Sequence, residues 1–256
     1  SGALDYADLI PSDVTAPSSA GAGQTLSVSW LVGNYGTGAT GTDQWYDRLV
    51  LSTNDRYGDL DDVHLGSVLH TGALEPTDLP YLGQLDVELP LGVSGDVWLF
   101  VETDEDNDVV EYIFESNNSA GTTLEVPLHV QATAVNPDAV SEGRIVSLSV
   151  QFSEDVLASL DASDLSLTHT TEGPIDLSGT TVSYNGATRT ATWDLGSAVV
   201  PTGDTTAMIS GTGIQDVLGR NLDGNRDGVR DDDYSWTIHA PRGDFDLDGD
   251  VDADDI

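Results

Sequence analysis

Residues 25–30 read T-L-S-V-S-W, and this stretch predicts the fold of the chain. Leu26, Val28 and Trp30 alternate with small polar residues, so they point to one face of an extended strand while the serines between them point to the other. A period of two is typical of a β-strand with one buried face. The pattern therefore predicts a half-buried strand rather than a helix.

The same alternation recurs along most of the chain. It returns at residues 45–52, 63–69, 85–89, 97–101 and 122–126, and a second series begins after Pro127. That series occupies residues 146–152, 165–168, 180–184, 190–195, 207–210 and 234–238. Gly, Asp and Asn turns separate these short segments, as in antiparallel sandwiches. Helical spacing is confined to residues 155–160 and 253–256, so the sequence predicts an all-β chain with two sandwiches in tandem.

The charge of the chain limits the classes of molecule that it can bind. Among 256 residues there are 45 acidic side chains and 8 basic ones, which gives a formal net charge of -37 at pH 7. The basic residues are all Arg, and the acids comprise 35 Asp and 10 Glu. A chain with so few cations cannot neutralise phosphates, which excludes nucleic acid as a partner. Cys is absent, and no apolar run reaches the roughly 18 residues of a membrane helix.

Several segments resemble families of bacterial exported proteins. Residues 5–128 are similar to CARDB domains, the cell-adhesion-related domains, at residues 8–10, 20–30, 47–52 and 111–118, the last reading E-Y-I-F-E-S-N-N. The second half is similar to bacterial immunoglobulin-like domains at residues 150–156, 160–165 and 214–222. These resemblances imply two tandem immunoglobulin-like antiparallel β-sandwiches, at residues 1–127 and 128–240, followed by a short C-terminal tail at residues 241–256. They also imply non-catalytic modules of large surface or secreted proteins.

The aspartates gather near the C-terminal end, where 13 of the 35 fall within residues 216–256. In residues 223–233 oxygen-bearing side chains occupy alternate positions and a glycine follows, which lets a tight loop turn several oxygens toward one cation. Because a run of like charge repels itself, the pattern predicts a calcium site, and a solvated acidic loop is the alternative. The expected ligands are the side chains of Asp223, Asn225 and Asp227, the carbonyl of Val229, and either Asp231 or Asp233.

A second acidic loop covers residues 244–255, which read D-F-D-L-D-G-D-V-D-A-D-D. Oxygen groups stand at loop positions 1, 3, 5, 9 and 12 with Gly at position 6, as in a calcium-binding EF-hand loop. The segment resembles the first loop of a type I dockerin. That match implies side-chain ligands at Asp244, Asp246, Asp248, Asp252 and Asp255 and a carbonyl ligand at Asp250. The sequence ends at Ile256, where the first dockerin helix should begin, so cohesin binding is not expected of this truncated loop.

Two other acidic groups lie in the first half and are expected to be polar loops between strands. One group alternates without a Gly at the bend, and the spacing of the other is irregular. The first comprises Asp104, Asp106, Asp108 and Glu111, and the second comprises Asp55, Asp59, Asp61 and Asp62.

Nothing in the sequence points to catalysis. The five histidines lack the spacing of metal ligands, and no nucleophile elbow or phosphate-binding loop occurs. Trp45 and Tyr46 are adjacent in a strand and point to opposite faces, so one of them is expected to be exposed. Four tryptophans have the alternation of core residues and are expected to pack in the interior rather than to bind sugars: Trp30, Trp98, Trp193 and Trp236.

These features favour a non-catalytic, calcium-binding structural or adhesion segment of a large bacterial protein that is secreted or held at the cell surface. Ca²⁺ is the expected ligand, and the expected partner is a surface protein or a polysaccharide of unknown identity. The alternative is a carbohydrate-binding or accessory segment, with a dockerin-like tail, of an extracellular polysaccharide-degrading protein. That alternative predicts an exposed row of aromatic residues on one sheet. An enzyme would need a cleft with convergent polar groups, of which the sequence shows no sign.

Overall fold

A computed structural model describes residues 5–137 and 145–240 of the chain. Almost all the regular structure in these ranges is β-strand, which confirms the predicted all-β class. The chain divides after Val126 into two compact units, and the short segment Leu91–Gly95 groups with the second one. Within the described ranges no helix is long and apolar enough to cross a membrane. The predicted tail at residues 241–256, with its helical candidate at residues 253–256, lies outside the described residues.

The first unit contains two sheets. Its strands are β1 (Leu9–Thr15), β2 (Thr25–Asn34), β3 (Gln44–Ser52), β4 (Val63–Thr71), β5 (Tyr81–Glu88), β6 (Gly95–Glu102) and β7 (Ser119–Val126). One sheet has the order β1-β2-β5 and the other the order β4-β3-β6-β7. In the first sheet β2 pairs antiparallel with β1 and β5, and in the second β3 pairs antiparallel with β4 and β6.

The stretch T-L-S-V-S-W lies in β2. Leu26, Val28 and Trp30 are buried, as the alternation requires. Trp30 pairs with Gly83 of β5, and a Cβ atom on Gly83 would lie 2.3 Å from the indole ring. Glycine is therefore needed at this position of β5, because a larger residue would displace the indole.

The tryptophans are distributed between the cores and one outer face. Trp30 and Trp193 are fully buried, and Trp236 packs against the core of the second unit, as predicted. Trp45 is also buried while the neighbouring Tyr46 is 40% exposed, which confirms that one member of this pair faces outward.

The prediction for Trp98 is wrong. Trp98 lies between the buried residues Val97 and Leu99 of β6, and adjacent residues of a strand point to opposite faces. It is therefore half-buried on the outer face, where its ring stacks on that of Phe100 with 5.6 Å between centroids. The alternation cannot place Trp98, because β6 carries apolar residues on both of its faces.

The described part of the second unit contains two four-stranded sheets. Its strands are β8 (Val130–Pro137), β9 (Ile145–Phe152), β10 (Leu165–His169), β11 (Gly173–Pro174), β12 (Thr181–Asn185), β13 (Thr190–Asp194), β14 (Gly203–Ile209) and β15 (Tyr234–Ala240). The sheets have the orders β12-β13-β9-β8 and β11-β10-β14-β15, and all neighbouring pairs are antiparallel. The helical candidate at residues 155–160 is wrong, because that segment is a turn that precedes a short 3-10 helix (Ala162–Asp164).

Both sheets of the second unit contribute to one apolar core. Phe152 of β9, Trp193 of β13 and Ile209 of β14 are fully buried in it. Leu222, in the long connection between β14 and β15, is also fully buried there. Burial of a leucine side chain stabilises the folded state by roughly 1.5–3 kcal/mol. Asp223 is the next residue in the chain, so its backbone is held beside this core. The core therefore anchors the beginning of the first predicted calcium loop.

Asp47 of β3 is a fully buried carboxylate in the first unit. Its oxygen atoms accept hydrogen bonds from Trp30 Nε1 (2.9 Å), the Tyr81 hydroxyl (2.8 Å) and Thr103 Oγ1 (2.7 Å). Burial raises the pKa of Asp47 above its usual value, although these donors act in the opposite direction. Because the donors come from β2, from β5 and from the segment after β6, the hydrogen bonds connect the two sheets of the unit.

Replacement of Asp47 by alanine is expected to destabilise the first unit. The substitution leaves the buried donors of Trp30 and Thr103 and the partly buried hydroxyl of Tyr81 without their acceptor, and each unsatisfied buried group costs roughly 1–3 kcal/mol. We expect the free energy of unfolding, measured by denaturant titration, to fall by about 3 kcal/mol or more. Asp86→Ala on the exposed side of β5 is the matched control and is expected to stay within about 0.5 kcal/mol of the wild type. Equal losses in the two variants would contradict the structural role of Asp47.

Candidate metal centres

Three groups of acidic side chains meet in the described part of the chain. Within each group, one carboxylate oxygen of every member lies within 4.8 Å of those of the other members. All of these ligand atoms are oxygens, which suit hard cations such as Ca²⁺. The β3–β4 cluster is Asp59, Asp61 and Asp62; the β6–β7 cluster is Asp104, Glu111 and Glu115; the β14–β15 cluster is Asp223, Asp227 and Asp232.

The β14–β15 cluster is built around Asp223, which is 1% exposed. Its backbone N–H donates to the carbonyl oxygen of Leu128 at 2.8 Å. Its two carboxylate oxygens accept from the backbone N–H groups of Asp227 (3.2 Å) and Gly228 (2.8 Å). Burial raises the pKa of Asp223 in spite of these bonds, because the charged form loses its water.

Asp232 reaches the same cluster through the backbone. Asp223 and Asp232 form a parallel bridge, and Gly224 N–H donates to the carbonyl oxygen of Asp232 at 3.0 Å. A Cβ atom on Gly224 would lie 2.4 Å from that oxygen, so the close approach requires glycine. The bridge thus brings together two acids from opposite ends of the loop.

The structure gathers some of the ligands predicted for this loop. Asp223 and Asp227 both belong to the cluster, and Asn225 donates from Nδ2 to Asp227 Oδ2 at 3.1 Å. Val229 lies beside them, since its backbone N–H donates to Asp227 Oδ1 at 2.8 Å. The side-chain oxygen of Asn225 accepts from the backbone N–H of Asp227 at 2.9 Å, whereas Val229 contacts the cluster through its own N–H.

Asp232 is the member of the cluster that the sequence pattern did not include. Its neighbours have other partners: Asp231 accepts from Asn221 Nδ2, and Asp233 accepts from Gly211 N–H at 2.8 Å. Asp231 lies at a bend with a φ of +80°, and Asp232 forms the bridge to Asp223. The bridge therefore brings Asp232 to the cluster, while Asp231 and Asp233 are engaged by these other partners.

The β6–β7 cluster contains two buried carboxylates. Asp104 is 4% exposed and Glu111 is 0% exposed, whereas Glu115 lies at the surface. Asp104 accepts from the backbone N–H groups of Asp108 (2.8 Å) and Val109 (3.0 Å). Burial raises the pKa of Asp104 to about 6 and that of Glu111 to about 7, and the charge of neighbouring carboxylates acts in the same direction.

Glu111 also fastens this loop to the beginning of β1. Its Oε2 atom accepts from the backbone N–H of Leu9 at 2.8 Å, and its Oε1 atom accepts from Asn118 Nδ2 at 3.1 Å. Beside it, Asn117 Nδ2 donates to Asp8 Oδ1 at 2.8 Å. The cluster therefore joins two segments that are far apart in the sequence.

The sequence predicts only a polar loop here, from Asp104, Asp106, Asp108 and Glu111. The structure separates this set, because Asp106 and Asp108 are exposed whereas Asp104 and Glu111 are buried and meet Glu115. Glu115 falls outside the alternating pattern and joins through a turn, in which Glu111 N–H donates to Glu115 Oε1 at 3.1 Å. The E-x-x-x-E spacing is the sequence signal that could have indicated it.

The β3–β4 cluster is hydrogen-bonded largely within its own loop. Asp61 accepts from the backbone N–H of Thr53 at 2.8 Å and from Asn54 Nδ2 at 2.9 Å. Side-chain hydrogen bonding with Asp59, together with the hydrogen bond that the Thr53 hydroxyl donates, lowers the pKa of Asp61. Asp55, the fourth residue of the predicted group, is exposed and outside the cluster. This arrangement is that of the polar loop that the sequence predicts.

The dockerin-like loop at residues 244–255 lies outside the described residues. Its expected ligands therefore stay predictions: Asp244, Asp246, Asp248, Asp250, Asp252 and Asp255.

Comparisons with known proteins give matches of structure only. No protein-family model matches the chain, and no curated protein sequence matches it. Two of the similar solved structures are CARDB domains. Both are of the PF1109 protein from Pyrococcus furiosus. The crystal structure, in complex with di-metal ions, is 17% identical, covers 49% of this chain and 93% of that chain, and has a TM-score of 0.36.

The NMR structure of the same CARDB domain is 20% identical and covers 48% of this chain and 98% of that chain, with a TM-score of 0.36. A β-glucosidase 3B from Thermotoga neapolitana is 15% identical and covers 49% of this chain but 17% of that chain, with a TM-score of 0.30. Similar CARDB structures thus cover about half of the chain. The immunoglobulin-like and dockerin-like resemblances stay predictions.

In the metal-free protein, the β6–β7 cluster is expected to make stability depend on pH. The pKa values of Asp104 and Glu111, about 6 and about 7, exceed the roughly 4 of an unfolded chain, so the folded state retains protons that the unfolded state has released. The free energy of unfolding should therefore fall as the pH rises from about 4 to about 7. Thermal unfolding with a chelator across this range measures the effect. Glu111→Gln removes one titrating group and should flatten the fall; identical profiles would contradict the raised pKa of Glu111.

Proposed function

We propose that the chain is a non-catalytic, calcium-binding structural segment of adhesion type from a bacterial protein that is secreted or held at the cell surface. The observation that carries this proposal is the β14–β15 cluster, in which the buried Asp223 lies with Asp227 and Asp232. Three carboxylates whose oxygen atoms lie within 4.8 Å repel one another unless a cation offsets their charge. A cation bound among these three acids would remove this repulsion.

The ligand chemistry of this cluster supports Ca²⁺ in particular. Ca²⁺ takes about 6–8 oxygen ligands from carboxylates, amide or backbone carbonyls and water. Asp223, Asp227 and Asp232 would supply carboxylate oxygens, and Asn225 would supply an amide oxygen beside them. A zinc–thiolate site is excluded because the chain has no Cys.

The position of the cluster supports a stabilising role for the ion. Residues 210–233 form a long connection between β14 and β15, and Leu222 and the bond from Asp223 N–H to Leu128 O fasten it to the core. A bound cation would offset the repulsion among the acids of this connection and hold it in place. The residues would then position an ion without supplying a nucleophile or a general acid.

Calcium is expected to raise the stability of the folded chain. A ligand that binds only the folded state stabilises it by about 2.7 kcal/mol at 100 times Kd. Extracellular calcium modules commonly have Kd values of about 10⁻⁴–10⁻³ M, so the titration should extend through the millimolar range. The measurement is thermal unfolding with calcium and with chelator. If the two unfolding curves coincide, the calcium proposal fails.

Matched variants identify the residues that bind this calcium. Asp227→Asn and Asp232→Asn remove charges of the cluster and should reduce the calcium-dependent stabilisation. Asp233→Asn changes the adjacent acid, which accepts from Gly211, and should retain it. If Asp232→Asn keeps the calcium-dependent stabilisation and Asp233→Asn loses it, the ligand is Asp233, as the sequence pattern allows, and not Asp232.

An extracellular location is part of the same proposal. Calcium sites with Kd values of about 10⁻⁴–10⁻³ M are typical of extracellular modules. The formal charge of -37 disfavours nucleic acids and anionic surfaces, so we propose a surface protein or an uncharged polysaccharide as the partner. Fractionation of the producing cells tests the location, and recovery of the protein in the cytoplasm would contradict it.

A carbohydrate-binding role is the second candidate, and aromatic residues on the outer face of the β4-β3-β6-β7 sheet favour it. The ring of Trp98 stacks on Phe100, whose centroid lies 5.9 Å from that of Tyr57. Tyr46 of β3 is 40% exposed on the outward side of its strand. Phe100 is itself buried at 7% exposed, so Trp98 and Tyr46 are the rings of this face that would offer apolar surface with a polar edge to a sugar.

Retention on columns of insoluble polysaccharide tests this candidate. Trp98→Ala should reduce retention at least about tenfold, which corresponds to a loss of about 1.4 kcal/mol in binding free energy. Trp98→Phe keeps an aromatic ring and should therefore keep part of the retention. If the wild-type chain passes through the columns unretarded, the carbohydrate-binding role fails.

A further inference from the structure

Two buried oxygen atoms beside the β6–β7 cluster have no hydrogen-bond donor among the described residues. They are Oδ1 of Asn117 and Oδ1 of Asn118, and Asn118 is only 6% exposed. The nitrogen of each amide is engaged: Asn118 donates to Glu111 Oε1 at 3.1 Å, and Asn117 donates to Asp8 Oδ1 at 2.8 Å. A buried carbonyl oxygen without a partner costs free energy, so a cation or a donor such as an ordered water is expected beside it.

The amide of Asn118 lies directly against the acids of the cluster. Its nitrogen contacts Glu111, whose carboxylate has oxygen atoms of Asp104 and Glu115 within 4.8 Å. Three carboxylates and a buried amide oxygen, without a nitrogen or sulfur ligand, form the donor set of a hard divalent cation. Nδ2 is the amide atom that faces Glu111, and Oδ1 is bonded to the same carbon, so rotation of the amide would bring Oδ1 to a cation at the cluster. The cation would also offset the charge of the acids.

We propose that the β6–β7 cluster is a second calcium site, with Asp104, Glu111 and Glu115 as carboxylate ligands and Asn118 as an amide ligand. This site goes beyond the proposed function, which rests on a cluster in the other unit. The two clusters share no residue, so either can fail without the other.

The position of this site would let the cation hold two distant segments of the first unit together. Glu111 Oε2 accepts from the N–H of Leu9, the first residue of β1, although the two residues are separated by 102 positions in the sequence. Nearby, the ring of Tyr6 stacks on that of Phe114 with 4.9 Å between centroids. A cation held by Glu111 therefore fixes the carboxylate that receives Leu9, and it ties the beginning of β1 to the β6–β7 loop.

The test is calcium binding by the full chain, measured by isothermal titration calorimetry, with hydrogen exchange of the Leu9 N–H as a second readout. Saturating calcium should slow this exchange at least about tenfold in the wild type. Glu111→Gln should bind one calcium ion fewer and lose the slowing. Glu115→Gln should do the same at an exposed position, and its amide oxygen can still accept from the N–H of Glu111. Asp106→Asn, an exposed acid of the same loop, is the control and should behave as the wild type.

The outcomes separate this site from the one in the second unit. Unchanged stoichiometry and unchanged exchange of Leu9 in both glutamate variants would overturn the inference. If Asp227→Asn loses one ion while Glu111→Gln and Glu115→Gln lose none, the second-unit site stands and this one falls. The opposite pattern supports this site and removes the observation that carries the proposed function.

Discussion

A carboxylate that is removed from water needs hydrogen-bond donors or a cation in its place, and this requirement governs where the acids of the chain lie. Eight arginines cannot neutralise 45 acidic residues. Most of the described acids accordingly remain exposed or partly exposed. Among the few buried ones, Asp47, Glu111 and Asp223 accept hydrogen bonds from specific donors placed by the fold.

These three buried carboxylates differ in what surrounds them. Asp47 receives three side-chain donors and belongs to none of the acidic clusters, so its charge is compensated within the core between the sheets. Asp223 and Glu111 each have two further acids within 4.8 Å. The hydrogen bonds they accept come from backbone and amide N–H groups, which do not neutralise three charges. The same requirement that makes Asp47 structural therefore favours a cation at the other two positions.

The strands were predictable because the alternation of apolar and polar residues identifies the buried face of each strand. Leu26, Val28 and Trp30 are an example, since all three are buried. Spacing is misleading where apolar residues lie on both faces of a strand or in a turn. Trp98 lies on a strand that is apolar on both faces, so period alone could not place it. At residues 155–160, Val156 and Leu160 both contact the core from a turn, which produces a helical spacing without a helix.

The sequence by itself determined the β class, the separation of strands by turns, the excess of acid and the loops that carry it. Each of these follows from residue type and local spacing. Only the tertiary structure decided which acids meet: Asp232 rather than its neighbours beside Asp223, and Glu115 beside Asp104 and Glu111. The physical reason is that backbone bridges and turns assemble these clusters. They bring together residues whose separation along the chain has no periodicity, as the contact between Leu9 and Glu111 illustrates.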